Sequence, residues 1–411
     1  LGAVGIASTG DELASAHSTN PQRLYGSDVA TRISFAGSKK RRGLKKLNSL
    51  IVDRINEMLV YMAENSGIDT HGIHKICVCG NPTMTHLFLG IDPAPIAPAP
   101  YIAPLSAPLV TRAGEAGLDA SPGAALAVIP PVAAYVGADA VAAALRIRLH
   151  EKKTPQMIID FGTNAEMILT DGEKMYACSA AAGPALEGAA IKCGMTARDG
   201  AIDRVDVRDD IEYTTIGGAQ PLGMCGSGLL DVVACLVTAG VIQKNGRMGG
   251  DEMPDSVPET LKARMLYEGD TREFMLYDPQ GAGGRRVVLD QRDVREFQLA
   301  KGAIRAGAKI MLEHAGLEAS DLEGLYLAGA LGTHIRPESA LAAGLVLEMP
   351  PGKMSFAGNA ALDGTCEALL YDDIWRTAEE ISRSIDYIEL SAVGEFTERF
   401  VEEMGFGETF G

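Results

Sequence analysis

Strand-patterned and helix-patterned segments alternate along this chain in two successive blocks, and that order limits the fold more than any single motif. In the first block, residues 3–18 read as a strand pair turned at Thr9-Gly10-Asp11, and residues 20–36 as a loop feeding a helix. Apolar residues at 3–4 spacing predict an amphipathic helix over 47–67. KICVCGN (75–81) reads as a short buried strand, PTMTHLFLG starts a helix, and the Pro-rich stretch 93–108 is an extended traverse. A small-residue helix is predicted over 129–149. The polar break EKKTPQ follows, and then residues 156–180 read as three short strands with two turns. Strand–turn–strand patterns continue to about residue 217, before a helix at 226–242, surface loops and a hairpin over 245–290, and a long helix at 293–316. LEGLYLAGALG (322–332) is a strand entering a glycine turn, and PESALAAGL opens another helix. Residues 358–370 form a second small-residue helix, and a strand and an amphipathic helix close the chain. Such alternation predicts an α/β fold with mixed sheets. At 411 residues the chain exceeds what one core usually serves, so two domains are expected.

Charge narrows the partners. With 37 Lys and Arg against 54 Asp and Glu, the net charge is −17. A field of that sign repels nucleic-acid backbones and anionic lipid, so neither nucleic acid nor membrane is an expected partner. The run KKRRGLKK (39–46) reads as a solvated helix entry. The longest apolar stretch, 125–145, carries Pro130, Pro131 and Asp139, which a lipid-facing helix would not hold together. LGAVGIASTGDEL lacks a basic n-region, so no signal peptide is expected. The seven cysteines are scattered, with no C-x-x-C spacing, which fits a reduced, cytoplasmic setting. Cys77 and Cys79 share a strand face and read as buried thiols, and no zinc or Ser–His–Asp arrangement can be assembled from the histidines.

Two motifs carry the first chemical signal. In DFGTNAE (160–166) an apolar strand delivers Asp160 to its end, Gly162 permits a sharp turn, and Thr163 and Asn164 offer donors. A carboxylate beside exposed amides suits a magnesium-bound phosphate, with Asp160 orienting metal-bound water. A plain hairpin turn explains the same letters. No glycine-rich loop with a following Lys and no H-R-D accompany them, which excludes a protein kinase. In LYLAGALG (325–332), Gly329 and Gly332 let backbone approach a flat ring or phosphate, though an ordinary βα turn has the same composition.

Order and spacing join these motifs. The chain resembles the actin-like ATPase (ASKHA) superfamily, whose two ribonuclease-H-like lobes carry mixed sheets and close over ATP across an interlobe cleft. Residues 129–149 resemble the first interlobe helix, 157–169 the second phosphate hairpin, 325–336 the adenosine motif and 358–370 the second interlobe helix. In the helix at 293–316, Gln298 and Lys301 occupy the spacing of nucleotide-contacting residues in related chaperones; an exposed helix lysine is the alternative for Lys301.

A closer resemblance rests on NPQRLYGSDVATRI (20–33), CGNPTMTHLFLGIDP (79–93), IDFGTNAEMIL (159–169), CSAAAGPALEGAAIKCGMTARDGAID (178–203), MCGSGLLD (224–231) and GNAALDG (358–364). Together these look like the reductive activators of corrinoid proteins, iron–sulfur ATPases that return cob(II)amide to cob(I)amide in methyl-transfer systems. The resemblance implies ATP and Mg as cofactors and a corrinoid protein of a methyltransferase system as partner, which carries the corrinoid, with a homodimer as the assembly. Ser179 would then present a hydroxyl toward cobalt and Glu187 would face nucleotide or metal; a tightly packed strand–helix junction is the alternative. Gly226, Ser227 and Gly228 open a helix whose amides suit an anion. Two departures stand out. The family's cysteine-rich [2Fe-2S] domain and its opening D-x-G-T-T turn have no counterpart in this stretch, which is therefore expected to be the C-terminal ATP-binding and docking region, its own turnover in question. The expected lobes are 1–148 with 358–411, and 149–357, with ATP-driven closure altering the docking surface. The rivals are a small-molecule kinase of the same fold and a non-catalytic module that docks a corrinoid protein.

Overall fold

A computed structural model describes residues 1–407 except 27, 39–41, 251–252, 270, 280–283 and 330–334. The chain divides into two compact units. The first comprises Leu1–Lys153, Gly172–Ala177 and Asn359–Tyr387; the second comprises Thr154–Asp171, Cys178–Gly358 and Ile388–Gly411.

In the first unit, Gly2–Ile6 and Glu12–His17 form an antiparallel hairpin that packs on the helix Arg42–Ser66. That helix turns Ile51, Val52, Met58, Leu59 and Met62 into a core shared with Phe88, Leu126 and Val128. Ala125–Val128 is the middle strand of three, parallel to Lys75–Val78 and antiparallel to Leu109–Arg112. The helix Pro82–Leu89 has strong local signals: Asn81 accepts from the Met84 amide at 2.9 Å, Pro82 takes the first turn, and Gly90 ends it at φ +70°. The small-residue helix is shorter than its pattern predicts and runs only over Ala138–Arg146. Pro130 and Pro131 cannot supply helix donors, so the chain stays irregular up to Gly137.

The helices Ala138–Arg146 and Ala360–Leu370 pack closely on each other in this unit. A Cβ on Gly364 would lie 2.0 Å from the Ala142 carbonyl oxygen, so glycine lets the two backbones touch. Glu367 accepts from Arg146 at 3.0 Å and from Arg148 at 3.2 Å at the end of the pair. A further helix, Asp372–Ser384, packs on both; its Ser382 donates to the Pro131 carbonyl at 2.8 Å. It leads into Ile385–Tyr387, which pairs in parallel with Met175–Ala177.

The second unit is organised by Gln156–Phe161. Met157, Ile158 and Ile159 are each at most 2% exposed, the continuous apolar run expected of a strand covered on both faces. Gly324–Ala328 runs parallel beside it, Met354–Gly358 parallel beyond that, and Ala165–Thr170 antiparallel on the other side. The helix Gln291–His314, begun by a capping box between Asp290 and Asp293, packs on Ala165–Thr170. Two three-stranded sheets complete the unit: Ile211–Thr215, Ala201–Val207 and Gly223–Met224, and then Met265–Glu268, Thr271–Tyr277 and Val287–Asp290. The helix Gly226–Thr238 lies on Ala201–Val207. Among the described residues no helix is long and apolar enough to cross a membrane.

Residues 388–411 belong to the second unit, where the sequence division set them with the first. The cause is a buried polar contact. Lys301 is 1% exposed, and its Nζ donates to the carbonyls of Glu403 at 2.7 Å and Gly405 at 2.6 Å, with the Phe406 ring 5.4 Å away. Gln298 donates to the Met404 carbonyl at 2.9 Å, and Arg305 binds the Glu403 carboxylate and, at 2.7 Å, Glu348. Neither the nucleotide contact nor the exposed lysine expected at Lys301 is what the fold gives it: the side chain anchors the end of the chain.

Burial, reinforced by the nearby Arg305 charge, pushes the Lys301 ammonium down to about 7 from its ordinary 10.5. A neutral amine still supplies two N–H groups for the two carbonyls. Between those pH values the unfolded chain holds the proton and the folded one releases it, so this group makes stability rise with pH across that window. Chemical denaturation of wild type from pH 7 to 10 is expected to show that rise, and Lys301→Met to lack it. Gly364→Ala tests the helix pair. Alanine favours a helix by about 1 kcal/mol over glycine, yet overpacking costs about 1–3 kcal/mol and here the clash is with backbone. The melting temperature is therefore expected to fall by several degrees, while Gly394→Ala, with open space at its Cβ, leaves it unchanged.

Candidate functional site

The register of Gln156–Phe161 sets the site. Asp160 pairs with Glu166 and Phe161 with Ala165, leaving Gly162, Thr163 and Asn164 as the hairpin tip. The Gly162 amide donates to the Asn164 carbonyl at 3.0 Å and tightens the turn. On the parallel side Ala328 pairs with Asp160, so the next residue, Gly329, arrives against the carboxylate. Gly329 has φ +85°, and a Cβ there would lie 2.5 Å from Asp160 Oδ1 and 2.6 Å from the Phe161 carbonyl oxygen. Glycine is required twice over, by conformation and by space. The carboxyl ends of neighbouring parallel strands are where open α/β sheets bind ligands. Gly332 lies outside the described residues.

A third piece comes from the small-residue segment after Met175–Ala180. Glu187 is exposed and accepts from the Thr163 hydroxyl at 3.0 Å, tying this segment to the hairpin tip. Ala185–Glu187 form a single turn that packs against both Gly226–Thr238 and Gln291–His314. Small side chains suit this junction: Ala180, Ala182 and Ala185 are buried, and Gly188, at φ +78°, sits where a Cβ would come 2.9 Å from the Met195 amide. Ser179 is half-buried. Beside it, burial drives the Cys178 thiol well above the usual range, and its Sγ lies 3.8 Å from the Gly307 carbonyl. That makes Cys178 a packing residue and not a nucleophile.

The helix start at Gly226, Ser227 and Gly228 is closely packed. All three residues are buried, and a Cβ on Gly228 would stand 2.2 Å from the Ile202 carbonyl oxygen. The Ser227 hydroxyl lies 3.3 Å from Cys225 Sγ. In this structure the glycines let the helix close on Ala201–Val207, and the serine is spent on its neighbour's thiol. Of the predicted nucleotide residues, the structure thus joins Asp160, Gly162, Thr163, Asn164 and Gly329 with Glu187. It gives Lys301 to the C-terminal stretch and Gly226–Gly228 to packing.

Two other buried acids differ in how far the sequence signals them. In the first unit, burial pushes the Asp139 carboxyl up to about 6 at the start of Ala138–Arg146, where it accepts from the Ala140 amide at 3.1 Å. In the second, Asp231 is 3% exposed and is held by Arg336 and the Val205 amide. An acid in a run of small residues was the available sign for Asp139; for Asp231, whose partner is over 100 positions away, there was none. Among the described residues no group of three or more His, Cys, Asp or Glu side chains is arranged to hold a metal ion.

Comparison with known proteins gives this geometry a family. Residues 154–410 match the C-terminal ASKHA domain of RACo, and residues 5–152 match the RACo middle region. The chain is 33% identical over 392 residues to the corrinoid activation enzyme RamQ of Eubacterium limosum, covering 95% of this chain and 65% of that protein. It is 25% identical over 427 residues to the [Co(II) methylated amine-specific corrinoid protein] reductase of Methanosarcina barkeri, covering 93% and 71%. A solved structure described as a reductive activator for corrinoid, iron-sulfur protein superposes with TM-score 0.85 at 33% identity, covering 97% of this chain and 63% of that one. The chain therefore spans somewhat less than two thirds of the length of RamQ and of the solved activator. Matched along nearly its whole length by a middle region and an ASKHA domain in that order, the chain belongs to the RACo family.

Proposed function

We propose that this chain is the ATP-binding and partner-docking region of a reductive activator that returns cob(II)amide to cob(I)amide in a corrinoid protein of a methyl-transfer system. The observation that carries the reading is the laying of Gly329 against Asp160, with Thr163 and Glu187 joined beside them. A flat backbone next to a carboxylate and a donor-rich turn is suited to magnesium and a polyphosphate. The relatives, described as activators or reductases of corrinoid proteins, supply the corrinoid side of the proposal.

Each residue has its own part in this reading. The Gly162 amide is engaged within the turn, so the amides of Thr163 and Asn164 and the Asn164 side chain would meet phosphate oxygens. Glu187 orients Thr163 from outside the hairpin. Asp160 would meet magnesium through water, since Mg²⁺ keeps much of its hydration and takes few protein ligands. Magnesium supplies charge neutralisation on the phosphates. Gly329 would border the nucleoside, and Ser179 with the small residues up to Gly188 would face the corrinoid partner. The [2Fe-2S] cluster that the resemblance implies finds no ligand set among the described residues, so no electron-transfer step is assigned to them. Seven cysteines in no disulfide support a reducing, cytoplasmic setting.

Calorimetric titration with Mg-ATP tests the site. Asp160→Ala is expected to weaken binding about tenfold or more, in line with loss of a charge-assisted contact worth ~1.5–3 kcal/mol. Equal affinity in wild type and variant would remove Asp160 from the site. Capture of a corrinoid protein to the same extent with and without Mg-ATP, together with no ATP turnover, would instead select a docking module.

A further inference from the structure

The helix Arg42–Ser66 carries its charges in the order opposite to the one that stabilises a helix alone. Arg42, Lys45 and Lys46 stand exposed at its N-terminal end, and the exposed Asp53, Glu57 and Glu64 lie in its C-terminal half. No acid lies in the first turn and no base in the last. Arg42, Lys45 and Glu64 therefore face the like-signed ends of the helix dipole, which costs helix stability. Arg42, Lys46, Asp53, Glu57, Val60 and Glu64 recur at three-, four- and seven-residue spacing, so they share one outer face. Between its ends that face is uncharged, with Ser49 and Leu50 half-buried. At the acidic end a groove of about 520 Å³ is lined by Asp53, Asn56, Glu57, Val60, Tyr61 and Glu64, with Val60 39% and Tyr61 54% exposed. Arg54, the base in this half, sits on the flank, held by Ser18 at 3.1 Å and by one oxygen of Glu57 at 3.1 Å.

We propose that this face is an interface between two copies of the chain, packed helix against antiparallel helix across a two-fold axis. A two-fold contact must be self-complementary, each end of the patch meeting the opposite end of its copy. The outer face of Arg42–Ser66 meets that condition by charge: basic at one end, uncharged in the middle, acidic at the other. With the axis level with residues 51 and 52, Lys46 stands opposite Glu57 of the second copy and Arg42 opposite Tyr61. A guanidinium over an exposed tyrosine ring gains a cation–π contact, and the lysine stem covers apolar surface beside it. Antiparallel packing also sets each helix end beside the oppositely signed dipole end of the copy, which offsets the cost of the charge order. A chain of net charge −17 repels its own copy in general, and here that repulsion is locally reversed. This interface is independent of the nucleotide site and gives the expected homodimer a named face.

Sedimentation equilibrium of the full chain is the test. Wild type is expected to sediment as a dimer in low salt and to dissociate as ionic strength rises, since exposed ion pairs are screened. Reversing the basic end alone, Arg42→Glu with Lys46→Glu, is expected to weaken dimerisation about tenfold or more, because like charges then face each other. Reversing the acidic end alone, Glu57→Lys with Glu64→Lys, is expected to do the same. The four changes together set opposite signs against each other again, and are expected to return the affinity to within about threefold of wild type. All four positions are exposed, so each variant is expected to keep its fold, with a melting temperature close to that of wild type. A wild type that stays monomeric in low salt at every concentration reached, a dimer that either end-reversal leaves intact, or a combined variant as weak as either reversal alone overturns the interface.

Discussion

The second unit depends on how closely two parallel strands end beside each other. Gly324–Ala328 runs in register with Gln156–Phe161, and the residue after it has no side chain, so its backbone reaches the Asp160 carboxylate and the Phe161 peptide. Any Cβ at 329 would have to occupy space that Asp160 fills. The hairpin tip is in turn tied to the segment 178–188 through Thr163 and Glu187, and that segment leans on the two main helices of the unit. Two contacts, Gly329 on Asp160 and Thr163 with Glu187, thus relate the hairpin, Gly329 and the small-residue segment.

Glycine works the same way in the first unit, where Gly364 lets Ala360–Leu370 touch the Ala142 peptide. The two positions illustrate one principle at different places. Small residues in regular elements are there because another backbone needs the room, and the helix-propensity loss is offset by contact that a larger residue would forbid. The composition, with 47 glycines, is legible in those terms only when the neighbour of each glycine is known.

What can be read from the sequence follows from locality. The strands over 156–180 are legible because apolar runs alternate with Asp–Gly and Gly–Thr–Asn turns, and the helix Gln291–His314, read over 293–316, because of its length and apolar spacing. The helix Asp372–Ser384 escapes a sequence reading because few of its residues are apolar, although they fall on one face. Over 129–137 the small residues suggest a helix that two adjacent prolines forbid. Asp160, Thr163 and Gly329 can be proposed from motif and order, but the contact of Thr163 with Glu187 cannot be seen as a pair. Lys301 fails for a plainer reason. Its partners, Glu403 and Gly405, stand about a hundred positions later, and nothing in the helix containing it signals that a terminal stretch will cover it.

Those long-range contacts bear on how a strongly acidic chain can hold an anion. Several of the second unit's cations are already committed: Lys301 to two carbonyls, Arg305 to Glu403 and Glu348, Arg336 to Asp206 and Asp231. Arg305 and Arg336 are worth more where they are, because withdrawing one partner from a buried ion pair leaves an uncompensated charge that costs about 3–5 kcal/mol. A triphosphate at the hairpin tip would therefore be met by oriented amides and by a cation brought with it, not by these side chains. Amides are well fitted to hold phosphate oxygens, because their dipoles are fixed by the turn and they need no long side chain to be ordered. They also carry no net charge to repel in the unliganded state. A carboxylate such as Asp160 at the strand end beside that tip would be repulsive toward phosphate alone and favourable toward phosphate with magnesium. By sign, then, the proposed site would favour the metal complex over the free nucleotide.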